Sequence, residues 1–523
     1  VVAGAAPLVA CRPAPFTDWP NHIARVFIGV RLLLGDPFWG RFYTLNPVPV
    51  PNEALDLGIG ALNLAGLSVD TAATIFLLSS YAIFVTGFVR LARAYRADGP
   101  EKPLLGAALF LTGPLMYGLV NYMLGLGVAM WLVGAWHAGG PRRRWFLAIF
   151  ATPLLFLVHL MGAAIWVLLI LCLEAPVWIA ERRRGARHLA RCASGLGAGI
   201  VLAGLVLASP VGADSLPRAD GSNIWYMGNE SWLHVLRWKA LTVPRMFSDH
   251  ASLPVAVITM VAIGMIVACI GLGGRARLRL GAALACAALI ALVLVLPESA
   301  GTGSLLDYRI CLVPIVVAAA AIEVNWRRPF WRRTAFALIA GVLLARGVTF
   351  SVAFAAEQAV FTDFDAFARS LPAGGLLLAA RGRDDADIPD REWWSPPLEH
   401  IGSRAVYASI FVPTVFAVAS QQPVVLRPEF TAWRRSWRVA SPAEFDAMRQ
   451  DIAPLCATRP SHDAKVYLFV AYSGDYVSKS VPRRAIVIRA DKYEVIDICR
   501  WTPDVGTDDA AASVPREPAV GVP

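Results

Sequence analysis

Charge is scarce in this chain. Asp, Glu, Lys and Arg make up only 16% of its 523 residues, where a soluble domain carries about a quarter. Lysine is nearly absent, with Lys102, Lys239, Lys465, Lys479 and Lys492 the full set. Arginine therefore carries almost all the positive charge. The motifs of common soluble enzymes are missing too: no P-loop, no strand-placed GxGxxG, no HExxH and no CxxC. Gly195-Leu-Gly-Ala-Gly199 lies inside an apolar run and reads as close helix packing. No internal repeat is visible, which removes one support for a transporter. These absences exclude a soluble nucleotide- or zinc-dependent enzyme.

What is abundant is apolar surface. Hydrophobic residues make up 57% of the chain and the mean hydropathy is +0.55. Repeated apolar runs of near-spanning length define a polytopic membrane protein. The net charge of +10 is then not a nucleic-acid footprint, because the arginines cluster in short loops between apolar runs.

The expected architecture is mainly α: a transmembrane helical bundle over 1–354 and an extracytoplasmic α/β domain over 355–503. A disordered tail over 504–523 completes it. Val1–Ala10 reads as the end of a first span whose start precedes the given sequence. Further spans are expected at Thr71–Leu91, Leu104–Leu119, Tyr122–Trp136, Trp145–Val158, Leu160–Ile179 and Leu189–Ala208. Others follow at Leu253–Leu272, Leu280–Leu296, Tyr308–Val324 and Thr334–Phe354. Asn52–Leu67 is interrupted by Glu53, Asp56 and Asn63 and is expected to lie at the interface.

Topology tests this reading. With Asn52–Leu67 left out, the basic connections Arg90/Arg93/Arg96, Arg142–Arg144, Arg182–Arg191, Arg275–Arg279 and Arg327–Arg333 all fall on one side. That alternation gives about eleven spans and puts the outer loops 11–69 and 210–252 on the other side. Trp225, Tyr226, Trp232 and Trp238 suggest an interfacial belt, with Ser231–Phe247 an amphipathic helix lying flat. After Phe354 the runs Leu376–Ala380, Val466–Ala471, Ile486–Ile488 and Val495–Ile498 are strand-like. Asp363–Leu371 and Pro442–Arg449 between them are helical.

Of the eight cysteines, five lie in or near spans and read as small apolar residues. Cys456 and Cys499 fall in the outer domain, an oxidising compartment, and are expected to pair.

The polar residues of the outer boundary are the candidates for chemistry. In FTDWPNHIAR (Phe16–Arg25), Pro20 suits a first helical turn, which puts Asp18, His22 and Arg25 on one stripe. Ile23, Val26, Phe27 and Val30 fall on another. A bare helix cap is the competing reading for Asp18. Asn121, His159, Asp307 and Arg309 are placed at the same boundary. Their competing readings are a turn residue for His159 and a local ion pair for Asp307 with Arg309. His137 and His188 flank basic loops and read as ordinary interface residues.

Three features together resemble the GT-C superfamily of membrane glycosyltransferases. They are an acidic residue in FTDWPNH just after the first helix, many spans, and a C-terminal extracytoplasmic domain. GLVNYMLGLG, LVHLMG and LDYR add to the likeness, while the Asp-Trp-Pro-Asn-His wording departs from the acidic pairs of better-known members.

The resemblance implies transfer of a sugar from a polyprenyl-phosphate carrier to a lipid or glycan acceptor, at the outer face of a bacterial inner membrane. Asp18 would be the catalytic base. His22, Arg25, Asn121, His159, Asp307 and Arg309 would surround donor and acceptor. A divalent metal beside Asp18 and His22 is compatible with this, but the sequence offers too few clear ligands to assign one. No nucleic-acid partner is expected. The alternatives are a non-catalytic scaffold of the same fold and, less favoured, a lipid or saccharide transporter, because the mid-span positions read as apolar.

Overall fold

The structure is a computed structural model. It describes residues 2–46, 51–97, 99–180, 197, 224–225, 231–247, 253–300, 305–382 and 398–415. It also describes 422–434, 436–439, 441–452, 454, 465–471, 481–490 and 492–501. The expected span Leu189–Ala208, most of the loop 210–252, Cys456 and the tail 504–523 lie outside these residues.

The described part is mostly helical. Three helices are long and apolar enough to cross a membrane by themselves: Val69–Ala94, Leu160–Ala180 and Pro329–Ser370. Val120–His137, Pro141–Val158, Leu253–Gly273, Leu280–Val295 and Leu306–Ala321 fall on the remaining expected spans. Ser68 starts the first long helix by accepting from the backbone N–H of Thr71, which satisfies one of the helix's orphan donors. Asn52–Leu67 yields a helix of 11 residues, Ala54–Leu64, far short of the ~20 that spanning needs. The expected flat helix is present as Trp232–Arg245, with Ser231 as its cap. Val1–Ala10 forms two short helices, Val2–Ala5 and Pro7–Ala10.

Two expectations need correction. The run Leu104–Leu119 is not one helix: it stops at Phe110 and restarts as Gly113–Met116. Nor are the mid-span positions all apolar, since Arg346 sits 2% exposed within the last span. The two facts explain each other. Arg346 donates from Nη1 to the Phe247 carbonyl at 2.6 Å and from Nη2 to the Leu111 carbonyl at 2.5 Å. Broken backbone inside a bilayer needs partners within the protein, and this guanidinium supplies them.

The final helix, Pro329–Ser370, is 42 residues long, roughly 63 Å at 1.5 Å per residue. The expected helix Asp363–Leu371 is simply its far end. It outruns a hydrocarbon core of about 30 Å and carries Phe361, Phe364 and Phe367 beneath a five-stranded sheet. The Phe364 ring lies 5.4 Å from Phe469 and 5.7 Å from Tyr493.

Across that sheet the strand order is Ile486–Arg489, Tyr493–Asp497, Val466–Ala471, Leu376–Gly382, Ser436–Val439. The first three alternate, each antiparallel to its neighbour, and Leu376–Gly382 runs parallel to both its neighbours. Val466–Ala471 is buried at every position, as a central strand covered on both faces should be.

The segment 11–69 and the C-terminal part share backbone structure. Tyr43–Leu45 pairs antiparallel with Val424–Leu426, Tyr43 standing opposite Leu426. Phe42 stacks on Phe411 at 4.1 Å, and the Tyr43 hydroxyl donates to the Val412 carbonyl at 2.8 Å.

Candidate active site

Asp18 stands at the N-cap position of the helix Trp19–Leu33, yet its side chain makes no cap hydrogen bond. The carboxylate therefore remains available to other groups. Its backbone is held by the turn after Met116: Thr17 N–H donates to the Met116 carbonyl at 3.0 Å and Asp18 N–H to that of Tyr117 at 3.1 Å. Gly118 makes this fit possible. Its φ is +87°, and a Cβ there would lie 2.9 Å from Trp19 N and 3.1 Å from Asp18 Cβ.

His400, from the C-terminal part, meets the carboxylate, with Nε2 3.3 Å from Asp18 Oδ1. On its other side Nδ1 lies 3.4 Å from Asn21 Nδ2, which also donates to the Thr414 carbonyl at 3.3 Å. In the neutral tautomer carrying its proton on Nε2, Nδ1 accepts from Asn21 while Nε2 donates to Asp18. Burial lowers the His400 pKa, but the hydrogen bond and charge of Asp18, joined by Glu399, outweigh it, and the net shift is upward. His22 moves the other way. Burial first, then the charges of Arg25, His400 and Arg309, hold its pKa well below the usual value. At neutral pH it is a neutral imidazole.

Arg309 is the cation of the cluster. The charges of Asp18 and Arg309 act on each other, and both His22 and His159 feel Arg309. Among the described residues, its buried Nε has no hydrogen-bond partner. Tyr122 ties the cluster together: its hydroxyl donates to the Arg309 carbonyl at 2.5 Å, and its ring meets the His159 ring edge-on at 5.5 Å. His159 sits where Pro141–Val158 hands over to Leu160–Ala180, pressed against a glycine: a Cβ on Gly125 would come within 2.7 Å of His159 Cβ. Asp18 and His22, from one helix start, and the distant His159 and Arg309 thus form one electrostatic group.

The other three expected residues are turned elsewhere. Arg25 is 1% exposed and grips Asp56 with both arms of its fork, Nε to Oδ1 at 2.8 Å and Nη2 to Oδ2 at 2.6 Å. Its Nη1 donates to Gln422. The stripe holds as helix geometry, but Arg25 binds the interfacial helix and the C-terminal part to the site helix. Asn121 donates to the Asn52 carbonyl at 2.6 Å and shapes a turn in which Asn52 has a φ of 72°. Asp307 pairs with Lys239 at 3.2 Å and accepts from the Tyr308 N–H at 2.8 Å. It forms no ion pair with Arg309 and instead fastens the flat helix Trp232–Arg245. Among the described residues, no three His, Cys, Asp or Glu side chains converge as a metal site. Cys499 is disulfide-bonded.

Sequence reasoning missed His400 and the residue that fixes its position, Arg404. The latter is 2% exposed. It forks onto Asp70 at 3.1 and 2.9 Å and onto Asp365 at 2.8 and 2.5 Å. Arg404 thereby joins the head of Val69–Ala94, the long last helix and the 3-10 turn Ile401–Ala408 that follows His400.

The Asp18 carboxylate, 3.3 Å from His400 and coupled electrostatically to Arg309, with His22 and His159 in the same group, is an arrangement able to exchange a proton and to receive an anion. The fold has solved counterparts. The structure of ArnT from Cupriavidus metallidurans bound to undecaprenyl phosphate matches with a TM-score of 0.51 at 11% identity, covering 96% of this chain and 98% of that one. The apo state of the same protein matches with a TM-score of 0.52 at 12% identity, covering 95% and 96%. At such identities the likeness is one of fold. No family model matches the sequence, and no curated protein matches it.

Proposed function

We propose that the chain is a membrane glycosyltransferase that moves a sugar from a polyprenyl-phosphate carrier to an acceptor at the outer face. The observation that carries this reading is the uncapped Asp18 carboxylate set against Arg309, whose buried Nε has no hydrogen-bond partner among the described residues. The fold supports it, because ArnT with this fold was crystallised with undecaprenyl phosphate bound.

In this reading Asp18 takes the proton of an acceptor hydroxyl as its oxygen bonds to the anomeric carbon. The bond from that carbon to the phosphate oxygen breaks, and the polyprenyl phosphate leaves with the electron pair. Arg309 stabilises the departing phosphate through charge-assisted hydrogen bonds. Neutral His22 and His159 flank the two groups, and His400 orients the base. Arg25 is left out of phosphate binding because Asp56 already holds its fork. An apolar cavity of about 660 Å³ runs between Leu253–Gly273, Leu280–Val295, Leu306–Ala321 and the last helix, with Lys239 among its lining. It offers room for a lipid chain beside the site.

Two variants separate binding from turnover. Arg309→Ala should weaken undecaprenyl-phosphate binding, read by native mass spectrometry, by about tenfold or more. Asp18→Asn should bind it at least as well as wild type, yet lose about 10²-fold or more in transfer, so that the lipid-linked donor accumulates in membranes. Full transfer by Asp18→Asn would point instead to a non-catalytic scaffold or a different base.

A further inference from the structure

A second polar cavity, of about 550 Å³, opens at the far end of the bundle from Asp18. The helix Val69–Ala94 begins at the Asp70–Arg404 contact and runs 26 residues, about 39 Å at 1.5 Å per residue. Its last turn lines this cavity.

The lining is rich in hydrogen-bond donors. Arg96, Arg144 and Arg279 face a single carboxylate, Glu174, among the described residues. Glu174 is already engaged: its Oε1 accepts from Trp136 Nε1 at 2.7 Å and from Arg144 at 3.3 Å. Among the described residues, the guanidiniums of Arg96 and Arg279 have no hydrogen-bond or ion-pair partner. Tyr95 is 1% exposed, and among the described residues its hydroxyl has no hydrogen-bond partner. The same holds for the buried Nε1 of Trp178. Finally, Leu280 and Gly281 bring in the N-terminus of a 16-residue helix whose cap residue, Arg279, makes no side-chain cap. A helix N-terminus presents free N–H groups and positive potential to an anion.

Topology explains why arginines collect at this face. It does not explain two buried donors left without acceptors, since such groups are normally satisfied. We infer that this cavity binds a phosphate group, taking its oxygens between the Arg96 and Arg279 guanidiniums with Tyr95 and Trp178 donating from the wall. Apolar neighbours Leu173 and Val177 leave room for the chains of a phospholipid, whose headgroup carries the same anion. The site is separate from Asp18 and does not depend on the transferase reading.

The test uses the purified full chain in detergent and native mass spectrometry. Phosphatidylglycerol, diacylglycerol and inorganic phosphate are the probes. Retention of phosphatidylglycerol but not diacylglycerol is expected, with about tenfold weaker binding in Arg96→Ala/Arg279→Ala. Tyr95→Phe, which keeps the ring and the packing, should weaken binding by several-fold. Competition by inorganic phosphate at millimolar concentration would identify free phosphate as the ligand; its failure to compete would identify the lipid headgroup. Equal retention of diacylglycerol, or wild-type binding of phosphatidylglycerol and phosphate by both variants, would overturn the site. Sugar transfer should stay at the wild-type level in either variant.

Discussion

His400 Nε2 lies 3.3 Å from Asp18 Oδ1, so the proposed base is oriented by a residue from the opposite end of the chain. The contact also predicts a pH dependence. The His400 pKa is raised, by Asp18 and Glu399 against the opposing effect of burial. A raised folded pKa contributes stability that is complete below the ordinary value of about 6.5 and is lost as pH rises through the folded value. Protonation makes Nδ1 a donor as well, so Asn21 must then turn its amide oxygen toward it. Thermal unfolding followed from about pH 5.5 to 9 should show a decline on the alkaline side in wild type. The same decline should be missing in His400→Ala. Transfer should fall on the order of 10–100-fold in that variant through loss of orientation.

Arg404→Met should be among the most damaging single changes outside the acid–base group. It would strip Asp70 and Asp365 of a shared, 2% exposed guanidinium. Breaking a buried charge pair costs roughly 3–5 kcal/mol. The two carboxylates are partly exposed, at 27% and 20%, so the lower end of that range applies. A large fall in unfolding temperature in detergent, with Arg404→Lys recovering only part of it, is the expected result. Lysine lacks the fork that spans both acids.

Periodicity and hydropathy reveal the helices because a bilayer demands long apolar stretches, and Pro20 with Asp18 marks the start of the site helix. The same signals fail for His400, which sits in a segment with no repeat, and whose partner is set by tertiary packing alone. Arg346 escapes a reading that takes the mid-span positions as apolar, although a lone arginine in ALIAGVLLARGVTF is an ionisable group that calls for a buried partner. Its partners, the Leu111 and Phe247 carbonyls, are backbone groups at a helix break that composition does not reveal. Arg25 and Asp307 show the converse. Each is expected among the donor- and acceptor-binding residues, but the partner of each is a side chain from another element, Asp56 or Lys239.

Gly118→Ala tests the cradle under Asp18 without touching a polar group. The new Cβ would meet Trp19 N at 2.9 Å in a backbone with φ +87°. The left-handed conformation alone costs a non-glycine residue about 1–2 kcal/mol. Undecaprenyl-phosphate binding at Arg309 should survive, while transfer drops at least tenfold because Asp18 moves. Unchanged transfer would show that the carboxylate tolerates displacement and is not the base.

Orientation is tested by labelling. Ala276 lies in the basic ribbon Gly274–Arg277, and Glu429 lies exposed in the C-terminal part. Ala276→Cys and Glu429→Cys should react with a membrane-impermeant maleimide from opposite sides, Glu429→Cys from outside. Labelling from the same side would remove the outer-face placement of Asp18 along with that of His400.

Cys499 is disulfide-bonded, while Cys11, Cys172, Cys269, Cys286 and Cys311 are free. We expect its partner to be Cys456, the other cysteine of the polar C-terminal part. The bridge would close a loop holding the strands Val466–Ala471 and Ile486–Arg489, and closing such a loop stabilises by about 3–4 kcal/mol in the chain-entropy model. The oxidising side of the membrane would keep it formed. Non-reducing peptide mapping of the full chain should recover one linked pair containing both cysteines, and Cys499→Ser should release one new reactive thiol at Cys456. A linked peptide joining Cys499 to Cys192 would assign the bridge differently. It would also contradict the topology, because Cys192 adjoins the basic stretch expected on the inner face.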